Sequence, residues 1–495
     1  MNRVLDLLPG LLPVLVVISS AIPGVLIFVL GEHRERIRVG LNLFGAVLKL
    51  ALVGVMLHGV ARGRSYEARI TLIGDYDFVV RADPVAMLFV TLSASLWLVT
   101  TIYAIGYFKA DPHQSRFFGF FSLCVSATTG VALAGNLLTF LIFYELLTLS
   151  TYPLVVHWGD RESLRAGRKY LVYTLTGGAL LFIAVVVTYE LAGPFDFREQ
   201  ALLDVKDPTA LRALFALFVV ALGVKAALVP LHAWLPAAMV APAPVSALLH
   251  AVAVVKAGAF GIIRVVYGVF GPGLCQQLGV LLPLTIVASV TIIYGSLLAL
   301  VQDDLKRRLA YSTVSQISYI VLGASLFGPI GTMGGLAHLV HQGIMKITLF
   351  FCAGIFAESL GVHRIREMHG VGRRMPWTMA AFTIAALGMI GLPPMAGFIS
   401  KWFLGLGAAS AGQDWVIAVL MASTVLNALY FLPIIYIGWF CERSEPWPIQ
   451  AAPNAWLVLP PLATAALAVL LGVLASTPFG AAAWAGETVE RRYFE

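Results

Sequence analysis

The chain has 495 residues, of which 59% are hydrophobic and 12% charged, and its mean hydropathy of +0.88 excludes a water-soluble globular protein. A net charge of +7 would suit a nucleic-acid partner, but the basic residues cluster in short loops between apolar runs, so no nucleic acid is expected. Cys124, Cys275, Cys352 and Cys441 are scattered without metal-ligand or disulfide spacing. With no phosphate loop, dinucleotide fingerprint or haem-attachment motif, neither metal nor cofactor is expected, and the energy must come from an ion gradient or a partner subunit.

Apolar runs long enough to cross about 30 Å of hydrocarbon as helices fall at about 7–30, 41–61, 84–107, 117–134, 136–157, 168–192, 209–229, 242–270, 278–301, 311–328, 333–355, 378–403, 415–440 and 453–475. They predict an all-α polytopic membrane protein of about 14 transmembrane helices, since period-two alternation is not sustained and a transmembrane barrel is disfavoured. The first run is already long enough to span, which argues against a cleaved signal peptide. Counting alternate loops from the N-terminus, one side carries markedly more Lys and Arg than the other, which includes both termini. The positive-inside rule then places both termini outside a cell's inner (plasma) membrane.

The seventh and twelfth runs contain helix breakers: Pro230 and Pro236 follow Lys225, and Pro393-Pro394 precedes Lys401. Proline frees a carbonyl and kinks a helix, and paired interruptions five spans apart predict two inverted five-helix repeats with broken helices 7 and 12. The expected divisions are 1–116 for helices 1–3, 117–270 for the first repeat, 271–440 for the second, and 441–495 for helix 14 and the tail.

Of the 26 acidic residues, Glu145 is the one set deep inside an apolar run. A carboxyl group there costs several kcal/mol unless paired, hydrated or protonated, which marks a functional site. Lys225 would oppose that cost, and the pair reads either as a proton-exchanging couple or as a static ion pair. Lys256 is a second buried amine. His250, six residues before it, would point about 120° away on a regular helix, so the two could act in sequence but not as a face-sharing couple unless that helix is deformed. His338, Gln342 and Lys346 are spaced by fours, with His341 alongside, and form a polar stripe on one helix face. Lys401 follows the Pro-Pro break. Lys49 and Arg264 are expected to snorkel toward the interfaces, and Asp303-Asp304-Leu-Lys306-Arg307-Arg308 to act as an orientation signal.

These residues lie in longer phrases. Phe143 through Ser150, Lys225 through Pro236, Ala241 through Gly258, Gln302 through Gln316 and Gly391 through Lys401 together resemble the proton-conducting antiporter subunits of complex I, membrane-bound hydrogenases and Mrp-type cation/proton antiporters. Phrases such as Arg308-Leu-Ala-Tyr-Ser-Thr and Gly391-Leu-Pro-Pro-Met-Ala-Gly-Phe look closest to the D-type Mrp subunit. The resemblance implies a hydrated polar axis in which Glu145, Lys225, Lys256 and Lys401 match the family's proton-carrying positions, and His250, His338 and His341 its connecting ones. It implies other membrane subunits as partners, protons and Na+ as the ions moved, and a proton-pumping module of an energy-converting oxidoreductase as the alternative function. Ala237 departs from the pattern, standing where many relatives carry an acid.

Overall fold

The computed structural model describes residues 2–109, 111–197, 201–449, 451–478 and 480–493. In chain order it begins with α1 (Asn2–Val29) and α2 (Glu35–Ala61), then the strands β1 (Tyr66–Ile73) and β2 (Tyr76–Ala82). Helices α3 (Pro84–Tyr107), α4 (Gln114–Leu133), α5 (Leu137–Val155), α6 (Arg161–Ala192) and α7 (Pro208–Lys225) follow. Next come the short α8 (Trp234–Ala237), α9 (Ala243–Ala251), α10 (Val254–Arg264) with a π-helical extension over Val265–Phe270, and α11 (Pro272–Leu278). The remainder is α12 (Leu281–Val301), α13 (Leu305–Ser325), α14 (Pro329–Leu360), α15 (Val371–Arg374), α16 (Pro376–Ile390), α17 (Ala396–Ser410), α18 (Trp415–Phe440), α19 (Ala455–Val473) and α20 (Ala481–Tyr493).

Helix starts follow local chemistry. Asn136, Asp160, Asp304 and Asn454 each accept a hydrogen bond from a backbone amide in the first turn of α5, α6, α13 and α19, satisfying donors that a helix N-terminus leaves unpaired. Among the described residues, 12 helices are long and apolar enough to cross a membrane. The runs expected at 311–328 and 378–403 fall on α13 and on the α16–α17 pair. The first is diluted by Lys306, Arg307, Arg308 and a series of hydroxyl residues, and the second is divided by the turn at 391–395.

Three features depart from the expected run of helices and loops. The segment expected as a loop at 62–83 folds into an antiparallel hairpin in which Tyr66 faces Ala82 and Ile70 faces Phe78. The eighth expected helix is interrupted at 252–253, between α9 and α10. Past the last expected span, α20 adds a further helix. The anticipated interruptions are present: α7 ends at Lys225, where Ala227 takes a left-handed φ of 56° that an L-residue rarely adopts, and α16 ends at Gly391, with φ 96°.

The chain packs as two compact units, Met1–Thr101 with Ala110–Ala226 and Val252–Val280, and Ile102–Lys109 with Ala227–Ala251 and Leu281–Glu495. In the first, α1 packs on α4, α4 on α5, and α6 on α7. In the second, α14 is central, contacted by α9, α13, α16, α17, α19 and α20. Its middle is buried on every side: His338, His341, Gln342 and Lys346 all have zero exposure.

Candidate functional site

In the first unit, Glu145 is carried by α5 and Lys225 by the last turn of α7. Lys225 is fully buried; its ammonium lies 3.3 Å from the centre of the Tyr144 ring and donates to the Tyr144 carbonyl. Those contacts attach it to the residue beside Glu145, and the glutamate and lysine charges act on each other electrostatically. One carboxylate oxygen of Glu145 is buried without a hydrogen-bond partner in the protein. It lies over Gly178 of α6, where an added Cβ would stand 2.0 Å from it, so the glycine supplies the space the carboxylate fills. Lys256, in the first turn of α10, is fully buried in this unit.

Lys49 and Arg264 do not snorkel. Lys49 is fully buried and donates to Ser20 at 2.9 Å, with Trp97 5.4 Å away. Arg264, 2% exposed, pairs with Asp83 at 2.7 Å and faces Phe197 and Phe260. Both side chains are drawn inward by polar partners on neighbouring segments, which the spacing within a single run does not reveal.

In the second unit the polar stripe of α14 is present, but its members bond across to other helices rather than along their own. Lys346 donates to Ser312 of α13 at 2.9 Å. The Tyr430 hydroxyl of α18 donates to the same Ser312 at 2.9 Å and also faces the side-chain oxygen of Asn427. Asn427 donates to the Met389 carbonyl at 3.2 Å, and that carbonyl accepts from Lys401 at 3.1 Å. A hydrogen-bonded file therefore runs without a gap from Lys346 to Lys401 through Ser312, Tyr430, Asn427 and the Met389 carbonyl. Lys401 also donates to Ile390 O at 2.8 Å, so the break after α16 offers it the carbonyl-rich end of a helix, where a cation is favoured.

On the other side of Lys401, Tyr319 lies 5.4 Å from its ammonium and stacks on His338 at 5.1 Å, and His338 hydrogen-bonds Ser400 at 2.8 Å. His250, in the last turn of α9, is fully buried and stacks on Phe350 at 4.6 Å, with neither ring nitrogen hydrogen-bonded to protein. His341 is buried on α14. Buried polar atoms are nearly always hydrogen-bonded to protein or water, so His250 marks a position where water is needed. The interruption at 252–253 also means that His250 and Lys256 do not share one regular helix.

Ser312, Tyr430 and Asn427 were missed by the sequence reasoning. Tyr430 and Asn427 are three apart on α18, a helix-face spacing that was the available signal. The basic cluster 306–308 is also more than an orientation signal, because Arg308 is 9% exposed and donates to the Gln302, Leu300 and Tyr430 carbonyls.

The residues expected to carry protons all lie within 134–427, the stretch matched by the family described as NADH:quinone oxidoreductase/Mrp antiporter, transmembrane. The chain belongs to this NADH:quinone oxidoreductase/Mrp antiporter family. As an antiporter-family member it is 36% identical over 377 residues to the N-type subunit of NADH-quinone oxidoreductase from Desulforudis audaxviator, covering 74% of this chain and 73% of that one. It is 27% identical to the D-type subunit of the Na(+)/H(+) antiporter from Alkalihalophilus pseudofirmus, over 96% of this chain and 95% of the other. Its fold matches a chain of the Mrp complex from Dietzia sp. DQ12-45-1b with a TM-score of 0.87 at 24% identity, covering 98% of both. The family and the structural match make it a multi-pass membrane protein.

Proposed function

We propose that this protein translocates protons within a multisubunit cation/proton antiporter of the Mrp type, exchanging Na+ for H+ across an inner (plasma) membrane with both termini outside. The observation that carries the reading is the file from Lys346 to Lys401. Serine and tyrosine hydroxyls both donate and accept, so Ser312 and Tyr430 can pass a proton on, while Asn427 and the Met389 carbonyl hold Tyr430 and Lys401 in register and buried water carries the last transfer between them. The single phenolic proton of Tyr430 faces two acceptors and satisfies one at a time, which lets the file reverse its polarity after each transfer. Lysine suits both ends because its amine can take up and release a proton, whereas a guanidinium stays charged.

In the first unit, Glu145 and Lys225 perform the corresponding exchange. A proton on Glu145 removes the charge that favours the ammonium of Lys225 and so promotes its release. Lys256, His250, His338 and His341 complete the set of titrating groups, with buried water serving His250. The repeats expected at 117–270 and 271–440 would each contribute one broken helix ending beside a lysine.

The test is transport by the whole complex reconstituted in vesicles. Glu145→Gln keeps the shape and removes the titrating group, and is expected to abolish pH-gradient formation while the complex assembles normally. Undiminished transport in that variant would overturn the reading. The 36% identity to an oxidoreductase subunit favours a second reading, in which electron transfer in partner subunits drives the same path. Flavin or iron–sulfur centres in the purified complex would select it.

A further inference from the structure

A second polar file lies in α1, α2 and α4, among residues that precede the family-matched stretch 134–427. On α2, Arg38, Asn42 and Lys49 follow at intervals of four and seven and so share one face; all three are essentially without exposure. Arg38 donates to Glu32 at 3.1 Å, to Ser115 at 2.9 Å and to Gln114 at 2.6 Å. Asn42 donates to the Arg38 carbonyl and accepts from Ser122 of α4 at 2.9 Å. Lys49 ends the series on Ser20 of α1. Beyond it the same face is apolar, with Val53, Met56 and Val60 buried.

The gap between Asn42 and Lys49 is smaller than seven residues suggest. Helical side chains lean toward the N-terminus, which carries the Lys49 amine back about one turn, roughly 5 Å, to the level of Gly45. There an added Cβ would come within 2.9 Å of Ser19 O and of Pro23, so the glycine lets α1 approach α2 closely and brings Ser20 within reach of the Lys49 amine. The open end is Glu32, whose side chain is 42% exposed, in the turn that the positive-inside rule assigns to the cytoplasm. Lys49 has no carboxylate partner among the described residues, unlike Arg38 and Arg264, so no counter-charge fixes it as the ammonium. Of the elements around it, α1 from Gly10 onward and α3 carry no charged side chain, and α4 carries Arg116 and the thiol of Cys124.

We propose that α1, α2 and α4 enclose a half-path, wet from the Glu32 end, along which a proton reaches the Lys49 amine and converts it to the ammonium, a titrating site apart from the path through Glu145 and Lys401. The inference rests on the membrane placement of these helices and not on the transport assignment, and its test reads labelling rather than transport.

In vesicles holding the whole complex with the four native cysteines replaced by serine, Ser20→Cys, Asn42→Cys and Val53→Cys are exposed to thiol reagents from either face. The thiolate is the form that attacks a thiol reagent and it needs water to form, so Ser20→Cys and Asn42→Cys should react about ten-fold or more faster than Val53→Cys, and only from the cytoplasmic face. At Ser20→Cys an anionic reagent should outpace a cationic one while Lys49 is charged. That preference should vanish as the cytoplasmic-side pH is raised, vanish at every pH with Lys49→Met, and survive high pH with Lys49→Arg. If Lys49→Met does not assemble, the pH response at Ser20→Cys decides alone. Labelling at Ser20→Cys as slow as at Val53→Cys, or a charge preference indifferent to Lys49 or to pH, would overturn the proposal.

Discussion

Tyr430, fully buried, shows how much rests on single atoms. Tyr430→Phe removes one oxygen and leaves Ser312 and Asn427 without their shared donor, a defect worth about 1–3 kcal/mol for buried partners. About 1.4 kcal/mol is a factor of ten in rate, so proton transport by the reconstituted complex should fall about ten-fold or more without loss of assembly, and an unchanged rate would remove Tyr430 from the path. Lys225→Arg asks a different question, because guanidinium keeps the charge and cannot be deprotonated. If the proton leaves through the amine, that variant should assemble and be inactive, whereas a static ion pair would tolerate it. At Gly178 the added methyl of Gly178→Ala would sit 2.0 Å from the Glu145 carboxylate; transport should fall toward the Glu145→Gln level, and a normal rate would show that the carboxylate can work from elsewhere. Glu145, Lys225 and Lys346 were legible as lone charges in apolar runs, because only function or pairing offsets their cost. Tyr430 and Asn427 were not, since an uncharged polar residue in a membrane helix costs little and serves equally well to join helices.

The spans were legible because a membrane-embedded backbone must satisfy its own hydrogen bonds, so a long apolar run has few alternatives to a helix. The hairpin was written differently: Tyr66, Ala68, Ile70 and Leu72 alternate with Glu67, Arg69 and Thr71, and Gly74-Asp75 supplies the turn. That period-two signal was overridden by the segment's position between helices. Its polar residues form a network in which Arg69 meets Asp77 at 2.7 Å and Asp196 at 2.5 Å, while Arg81 meets Glu67 at 2.7 Å. Partial burial pushes the Glu67 carboxyl up, but Arg81 and then Arg69 more than reverse this and hold it below the usual range; Arg69 and then Thr71 do the same for Asp77. A carboxyl held low in the folded hairpin contributes stability that is complete above its unfolded value of about 4 and is lost as the pH falls through its lower folded value. Amide hydrogen exchange across 66–82 should therefore stay slow from neutral pH to just above 4 and accelerate below it. Protection indifferent to acid would mean that backbone pairing alone holds the strands.

For the whole molecule, the family match and the fold agree on a multi-pass membrane subunit, and for the proposed proton path the question is what drives it. The polar machinery does not answer this, because the proposed file of lysines and hydroxyls would move protons in the same way under an ion gradient or under conformational work from a redox partner. Extent of similarity discriminates better than identity: the match to the D-type antiporter protein runs over 96% of this chain and 95% of that one, whereas the more identical N-type oxidoreductase protein is matched over 74% and 73%. The match to the antiporter protein over nearly the full length of both chains favours the proposed antiporter reading. The complex purified in mild detergent and reconstituted with a pH-sensitive dye inside should then show a pH change on a sodium pulse in the absence of any electron donor, much weaker with choline, and abolished by Glu145→Gln. A pH change that appears only when an electron donor and a quinone are supplied, and that ignores sodium, would transfer the protein to an energy-converting oxidoreductase while leaving the path from Lys346 to Lys401 as it stands.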